Sequence, residues 1–374
     1  MTGPAAEHHR AAVTERHEVV VVGGGQAGLA IGHFLKQQGR DFTILEAAET
    51  PAAAWRERWD SLRLFTPGRR NGLPGRPFPG DPDRYPGRDE VVAYLTDYAR
   101  DLDLPVALNS RVRAVRAADG GFLVELDDHA IGAEQVVIAT GPWQVPVVPA
   151  IAERLDPSIM QLHSTAYRNP QQIPDGPVLV VGGGNTGYQI AEELVGTHEV
   201  HLSVGTRQTP LPQRILGRDL FTYLEALGLI RAPVSSRLGS RLQKKGETLV
   251  GSSPRAARRQ GIRFHGRTVD VSGREVHFGD ATSVIPAAVI WATGFRLDHS
   301  FVDAPVFDAA GALVHERGVT SAEGLYFLGL LWQHTRGSAL LGWVKDDAEF
   351  IAQRIAEVAQ RRGAAAPHQQ AVAR

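Results

Sequence analysis

Apolar residues recur along this chain in two matching blocks. The first opens with Val19-Val20-Val21-Val22 and the second with Val178-Leu179-Val180-Val181. Each run is short, β-branched and continuous, as in a strand buried on both faces of a parallel sheet. Each breaks into glycines, Gly23-Gly24-Gly25-Gln26-Ala27-Gly28 and Gly182-Gly183-Gly184-Asn185-Thr186-Gly187. Beyond the glycines the apolar positions take a helical period, over 28–38 and 187–195. The pattern therefore predicts strand, turn and helix twice. Gly39 stops the first helix, and new strands follow at 41–45 and 199–204. Each block closes far downstream on an apolar strand ending Ala-Thr-Gly, at Ala139-Thr140-Gly141 and at Ala292-Thr293-Gly294.

The intervening segments are less regular. Residues 51–88 are dense in proline, glycine and arginine, and a loop of that length inside a domain is usually functional. A helix is expected over 89–101. A β-rich meander follows over 106–134, with a hairpin turn at Asp119-Gly120-Gly121. Residues 231–267 are basic, with Glu247 as their one carboxylate; they read as a solvated face with a loop around Lys244-Lys245-Gly246, the alternative being a run that draws in anionic cofactor. The segment Gly324-Leu325-Tyr326-Phe327-Leu328-Gly329 and a helix over 338–359 return to the first block.

Both hexapeptides read G-x-G-x-x-G in the strand-to-helix setting that a dinucleotide site requires. The first glycine permits the tight turn, the second lets backbone approach a pyrophosphate, and the third lets helix and strand pack closely. The uncapped helix start then offers N–H groups and partial positive charge to phosphate. The fold class is α/β, with two dinucleotide-binding (Rossmann-like) domains. Glu46 closes the second strand of the first block, where a carboxylate accepts ribose hydroxyls; a solvated turn carboxylate is the alternative.

Composition narrows the chemistry. The 374 residues carry a net charge of -1, which argues against a nucleic-acid partner. No apolar run approaches the roughly 20 residues of a membrane span. Residues 1–16 lack the apolar core of a secretory signal and read as a frayed tail with solvated His8 and His9, so the expected location is cytoplasmic. There is no cysteine, which removes disulfides, zinc–cysteine sites, iron–sulfur clusters and a redox-active cysteine pair. No metal site is expected.

With these motifs, and with His163-Ser164-Thr165-Ala166-Tyr167, the chain resembles the class B flavoprotein monooxygenases. More narrowly it resembles their short bacterial flavin-containing monooxygenase-like members, over residues 18–355. The resemblance implies that Gly23, Gly25, Gln26 and Gly28 bind FAD, and that Gly182, Gly184, Asn185, Thr186 and Gly187 bind NADPH. It implies an NADPH domain (166–287) inserted into an FAD domain (17–165 and 288–362), with a disordered tail over 363–374. Trp55 and Arg56 fall in the loop that lines the ribityl and flavin region. The family has two glycines before that tryptophan where this chain has Ala53 and Ala54, so backbone strain is expected there. Val112 matches the position whose backbone meets adenine. Thr140, Gly141, Thr293, Gly294 and Gly329 carry over as cofactor-lining residues. Ser338 and Leu341 lie in the segment 334–341, matching a helix start aimed at the flavin pyrimidine. The family motif Phe-x-Gly-x-x-x-His-x-x-x-aromatic survives as His163 and Tyr167, with Pro157 and Ile159 in the Phe and Gly positions.

The implied activity is a monooxygenase using FAD, NADPH and O2. NADPH reduces flavin, oxygen adds at flavin C4a, and a small sulfide or amine takes the distal oxygen. Baeyer–Villiger oxygenation of a ketone is open to the same scaffold, with Arg336 as the residue to stabilise the deprotonated peroxide. His163 reads either as an acid or base or as an interdomain packing histidine. After the strand at 199–204 no carboxylate occupies the ribose position, and Arg207 stands there instead, suited to the 2′-phosphate of NADPH; a solvated arginine is the alternative. Five of the six tryptophans flank segments assigned to flavin, which suits either a dry cavity or plain core packing. The expected partner is a small-molecule substrate, with homodimerisation left open. Two rivals stand. One is an NAD(P)H oxidase or electron-transfer reductase, against which Gly329-Leu330 lacks the Gly-Asp of such reductases. The other is a non-enzymatic nucleotide-sensing regulator.

Overall fold

The computed structural model describes residues 13–246 and 248–372. Its second sheet is fully parallel, in the order Arg263–His265, Val200–Ser203, Val178–Val181, Ala288–Trp291, Met160–His163. The first sheet has Val13–Val22 at its centre, between Phe42–Leu45 and Ala130–Ile138, again in parallel. The hairpin Ala114–Ala118 and Gly121–Glu125 turns through Asp119-Gly120, as the sequence predicts, and pairs with the start of Ala130–Ile138. Leu325–Phe327 pairs with the end of that strand. Helices cover the central strands, so Val19, Val20, Val21, Val178, Leu179 and Val180 are all fully buried. Such burial requires a continuous apolar run rather than alternation.

Register explains the doubled motif. Val22 stands opposite both Leu45 and Ile138. Val181 stands opposite both Ser203 and Trp291. Each glycine turn therefore leaves its sheet between a neighbouring strand end and an Ala-Thr-Gly end, at the carboxyl edge where ligands bind in open α/β sheets.

The units are joined by two crossings, and Val145–Pro146 pairs antiparallel with Phe295–Arg296 between them. Strands Met160–His163 and Ala288–Trp291 both belong to the second sheet, so the expected boundaries at 165/166 and 287/288 cut through it. Ala152, Leu155 and Ile159 share its core with Val289 and Trp291. The inserted unit thus begins near 150 and ends after 291, because its outer strand precedes its glycine turn in the chain.

Other expectations are also corrected. The first strand starts at Val13, inside the expected tail, because Val13–Arg16 extend the ladder onto residues 130–132. Residues 1–12, with His8 and His9, lie outside the described residues, as does Glu247. Lys244 and Lys245 end a helix, Arg237–Lys245, rather than a loop. Ser236 caps that helix by accepting the Gly239 N–H, and the two lysines complement its C-terminal dipole. The last helix runs Val344–Val372, later and longer than expected, and past Arg362. Residues 338–343 stay in turns because Gly342 lies so close to the Arg70 carbonyl that any side chain would overlap it. This helix packs on Gln26–Gln37, where Gln38 Nε2 donates to Ala352 O at 3.2 Å. Among the described residues no helix is long and apolar enough to cross a membrane.

Burial holds His33, His163, His201, His265, His299, His315 and His334 below the usual imidazole value. The folded state keeps these rings neutral while the unfolded chain protonates them below about pH 6.5. Their contribution is complete above that pH and lost as pH falls through it. Glu192 and Asp346, raised by burial, act in the opposite sense. With the histidines in the majority, the urea midpoint should fall between about pH 7.5 and pH 5.5. A flat profile would show the imidazoles to be solvated.

Candidate functional site: two glycine turns facing one seam

At the first turn the three glycines have different reasons to be glycine. Gly23 has φ +114°, and a Cβ there would stand 2.7 Å from Ala139 O. A Cβ on Gly28 would overlap the Gly23 carbonyl oxygen. Gly25 has φ −83° and ψ −170°, open to any residue, with nothing within 4 Å of its Cβ position. The fold requires the first and third glycines. The second faces open space, as a backbone approached by a ligand would. No side chain caps the helix Gln26–Gln37, so its leading N–H groups are left for an anion. Glu46 is fixed beside the turn. Its Oε2 accepts the Gly24 N–H at 2.8 Å and its Oε1 the Ala48 N–H at 2.9 Å, and each oxygen keeps acceptor capacity for a ribose hydroxyl.

The second turn repeats this design. Gly182 has φ +136° and lies against Ala292 O, and a Cβ on Gly187 would overlap Gly182 O. Gly184, at φ −85° and ψ 177°, meets only Gln208 Nε2, 3.7 Å from its Cβ position. Gln208 Oε1 is buried without a partner, an acceptor suited to a bound hydroxyl. Thr186 is half-buried in the first turn of the helix Asn185–Leu194. Asn185 is spent on the protein: its Nδ2 donates to Thr248 O at 3.1 Å and its Oδ1 accepts from Val250 N–H at 2.9 Å. Arg207 is exposed. A second arginine, missed in the sequence, stands with it. Arg267 Cζ is 3.1 Å from the Cβ position of Gly205, and its Nη2 donates to Thr206 Oγ1 at 3.4 Å.

The seam between the turns gathers most of the remaining candidates. Gln26 Nε2 donates to Ala339 O at 2.8 Å, and its Oε1 accepts Trp55 Nε1–H at 3.2 Å. Gln26 thereby ties the first turn to both flanking loops. Ala53 and Ala54 are not strained, being part of the short helix Ala53–Arg56; the left-handed residue is Ala52, at φ +60°. Arg56 is exposed, whereas Trp59 is buried with its Nε1–H unpartnered. Gly329, at φ +86°, must be glycine because its Cβ would stand 2.8 Å from Ala27 Cβ. Ser338 Oγ accepts the N–H groups of His334 and Thr335, each at 3.0 Å, and Leu341 is buried. These two residues shape a run of turns rather than a helix start. Arg336 Nη2 donates to Thr248 Oγ1 at 3.0 Å, and its guanidinium lies 5.9 Å from the Trp332 ring centroid. Thr140 Oγ1 accepts from Gln144 Nε2 at 2.8 Å beside Gly141, and Thr293 Oγ1 donates to Val147 O beside Gly294. Val112 is half-buried against the first unit's second core.

The tryptophans do not form one dry wall. Trp291 lies in the second sheet's core and donates to Gln161 Oε1 at 3.1 Å, Trp343 donates to Glu225 Oε1 at 3.1 Å, and Trp143 is 42% exposed.

His163 has both ring nitrogens engaged. Nδ1 accepts the Thr165 N–H at 3.2 Å, which leaves Nε2–H to donate to Gly294 O at 3.1 Å. The ring stands edge-on to Phe295, centroids 5.2 Å apart. Burial lowers its pKa. This geometry favours positioning over proton transfer: His163 clamps the Ala-Thr-Gly end that backs the second turn. His163→Ala should cost about 1–3 kcal/mol of stability by stranding the Gly294 carbonyl. It should also raise the hydrogen peroxide released per NADPH, with a smaller effect on flavin reduction. An unchanged peroxide yield would remove His163 from the seam's function.

A cavity of about 1070 Å³ lies between Val234, His315, Trp332, His334, Phe350 and the outer face of the last helix. No glycine of either turn lines it. Among the described residues no three His, Asp or Glu side chains are grouped to hold a metal.

Residues 20–215 match the family described as pyridine nucleotide-disulphide oxidoreductase. A CzcO-like oxidoreductase of Geobacillus kaustophilus (strain HTA426), described as uncharacterized, is 43% identical over 340 residues, covering 90% of this chain and 98% of that one. The chain belongs to this family, as a CzcO-like oxidoreductase. A flavin-containing monooxygenase from Stenotrophomonas maltophilia shares its fold with TM-score 0.79 and 28% identity, over 92% of this chain and 100% of that one. Indole-3-pyruvate monooxygenase YUCCA4 of Oryza sativa subsp. japonica is 35% identical over 224 residues, 54% of this chain and 50% of that one. The chain is thus a flavin-dependent enzyme of the monooxygenase type, with FAD and NADPH as its cofactors. Without cysteine it has no thiol for the disulfide chemistry in the family's name.

Proposed function

We propose that this protein transfers one atom of O2 to a sulfur or nitrogen of a small organic molecule. NADPH supplies two electrons, and the second oxygen atom leaves as water. The observation that carries this reading is the pair of glycine turns, each with an open second glycine, facing one seam in a chain that has no cysteine. FAD supplies the hydride acceptor and the ring that activates oxygen. The chain's own residues bind, orient and exclude water. In this reading Gly25, Glu46 and the uncapped helix start hold FAD, while Gly184, Gln208, Arg207 and Arg267 hold NADPH. Gln26 sets the distance between the first turn and the loops around Trp55 and Ala339. The unpartnered Trp59 N–H is a donor for the flavin side. Arg336, bound to Thr248, ties the flavin segment to the strap fastened by Asn185.

The partners in this reading are a small-molecule substrate and O2. The test is stoichiometric. Thioethers, tertiary amines and cyclic ketones are incubated with enzyme, NADPH and oxygen, and oxygenated product is compared with NADPH consumed. Sulfoxide or N-oxide in near-equal yield is the expected result. Lactone formation would move the reading to Baeyer–Villiger chemistry. Peroxide release equal to NADPH consumed, with no product from any class, would replace it with an oxidase.

A further inference from the structure

Arg58 is the half-buried arginine of the seam that the site described above leaves unused. It follows the helix Ala53–Arg56. Its main chain is held at both ends, by its N–H to Trp55 O at 3.1 Å and by Arg88 Nη1 donating to its carbonyl at 2.9 Å. The backbone that carries the side chain is therefore fixed. Its guanidinium lies over the Phe295 ring, 5.2 Å from the centroid, across from the loop that carries it.

Arg58 differs in its pairing from three other partly buried arginines. Arg70 meets Glu225, Arg88 meets Asp60 and Arg317 meets Asp347. Arg58 forms no ion pair with a carboxylate among the described residues. Burial is the larger effect on its charge; the exposed carboxylate of its chain neighbour Glu57 offsets only part of it, and Arg168 adds a second positive charge nearby. Removing a guanidinium from water without a directly paired carboxylate is costly, and the cost is recovered when an anion arrives. Phe295 identifies that anion. It follows Gly294, at the end of the Ala-Thr-Gly that backs the second glycine turn, so residues 292–295 run from the wall of that turn to the face of Arg58.

We propose that Arg58, carried by the FAD-binding unit, closes across the seam onto the nicotinamide-side phosphate of NADPH. The inference rests on NADPH occupying the second glycine turn. The nicotinamide must leave that turn toward flavin, and Arg58 sits on the loop facing that path. Its guanidinium supplies a charge-assisted donor pair that neither glycine turn contains. The two units are then held together by the cofactor itself.

The test uses FAD-loaded protein and calorimetric titration with NADP⁺, 2′-phospho-ADP-ribose and 2′,5′-ADP. The last has no nicotinamide-side phosphate. Arg58→Met keeps the stem against Phe295 and removes the charge. It should weaken NADP⁺ and 2′-phospho-ADP-ribose about ten- to a hundredfold and leave 2′,5′-ADP and FAD content as in the wild type. Arg58→Lys should recover part of the loss. Unchanged NADP⁺ affinity would overturn the assignment, and so would an equal loss for 2′,5′-ADP. A loss confined to the KM of carboxylate-bearing substrates would overturn it in favour of a substrate anchor. Wild-type protein that binds no NADP⁺ would instead remove the NADPH reading itself.

Discussion

Gly25→Val should give a folded, colourless protein, and Gly184→Val a folded, yellow one that NADPH cannot reduce. Both glycines have ordinary extended dihedrals, and no protein atom lies closer than 3.7 Å to either Cβ position. The added side chains therefore intrude only on ligand space. Each displaces a pyrophosphate from at least two N–H donors, at about 1.5–3 kcal/mol per charged hydrogen bond. The sum is about 3–6 kcal/mol, or roughly two to four orders of magnitude in affinity. Gly28→Val and Gly187→Val are less informative, because their side chains overlap the carbonyl oxygen of each turn's first glycine and break the turn itself. Circular dichroism, bound flavin and anaerobic reduction by NADPH read the outcome. Loss of FAD from Gly184→Val would show that the division of labour between the turns is wrong.

Arg267→Ala should raise the KM for NADPH about ten- to a hundredfold while leaving NADH nearly unchanged. Arg207→Ala should act in the same direction. Arg267 carries the stronger geometric case, since it already lies over Gly205 and bonds Thr206, whereas Arg207 is exposed with no contact fixing it. The double variant should approach equal use of the two nucleotides. Steady-state kinetics with both cofactors decides the matter. Equal losses for NADH and NADPH would assign these arginines to general packing, and no loss would leave the 2′-phosphate without its proposed partner.

The contrast between these two arginines shows what was legible in the sequence. Arg207 was found because it follows a strand at the ribose position, a local spacing. Arg267 reaches the same place because Arg263–His265 lies beside Val200–Ser203 in the sheet, and strand order is not encoded in local spacing. The glycine turns and their Ala-Thr-Gly backing were legible because backbone contact there forces residue type. Turns at 338–343 were not, because Gly342 answers to the distant Arg70 carbonyl. The strain expected at Ala53 and Ala54 falls on Ala52 instead, because the two alanines open the short helix Ala53–Arg56. The tryptophans left both readings open because a large apolar side chain fills any core equally well.

The order in which the sheets acquire their strands bears on how the enzyme is made. All strands of the second sheet lie between 160 and 291, so that half can close its core as soon as it leaves the ribosome. The first sheet must wait. Ala130–Ile138 receives Leu325–Phe327, and the helix Gln26–Gln37 receives Val344–Val372, only after the inserted unit has been synthesised. Gly329, which packs on Ala27 beside the first turn, arrives just as late. The inserted unit therefore has all its strands in hand before the first sheet does.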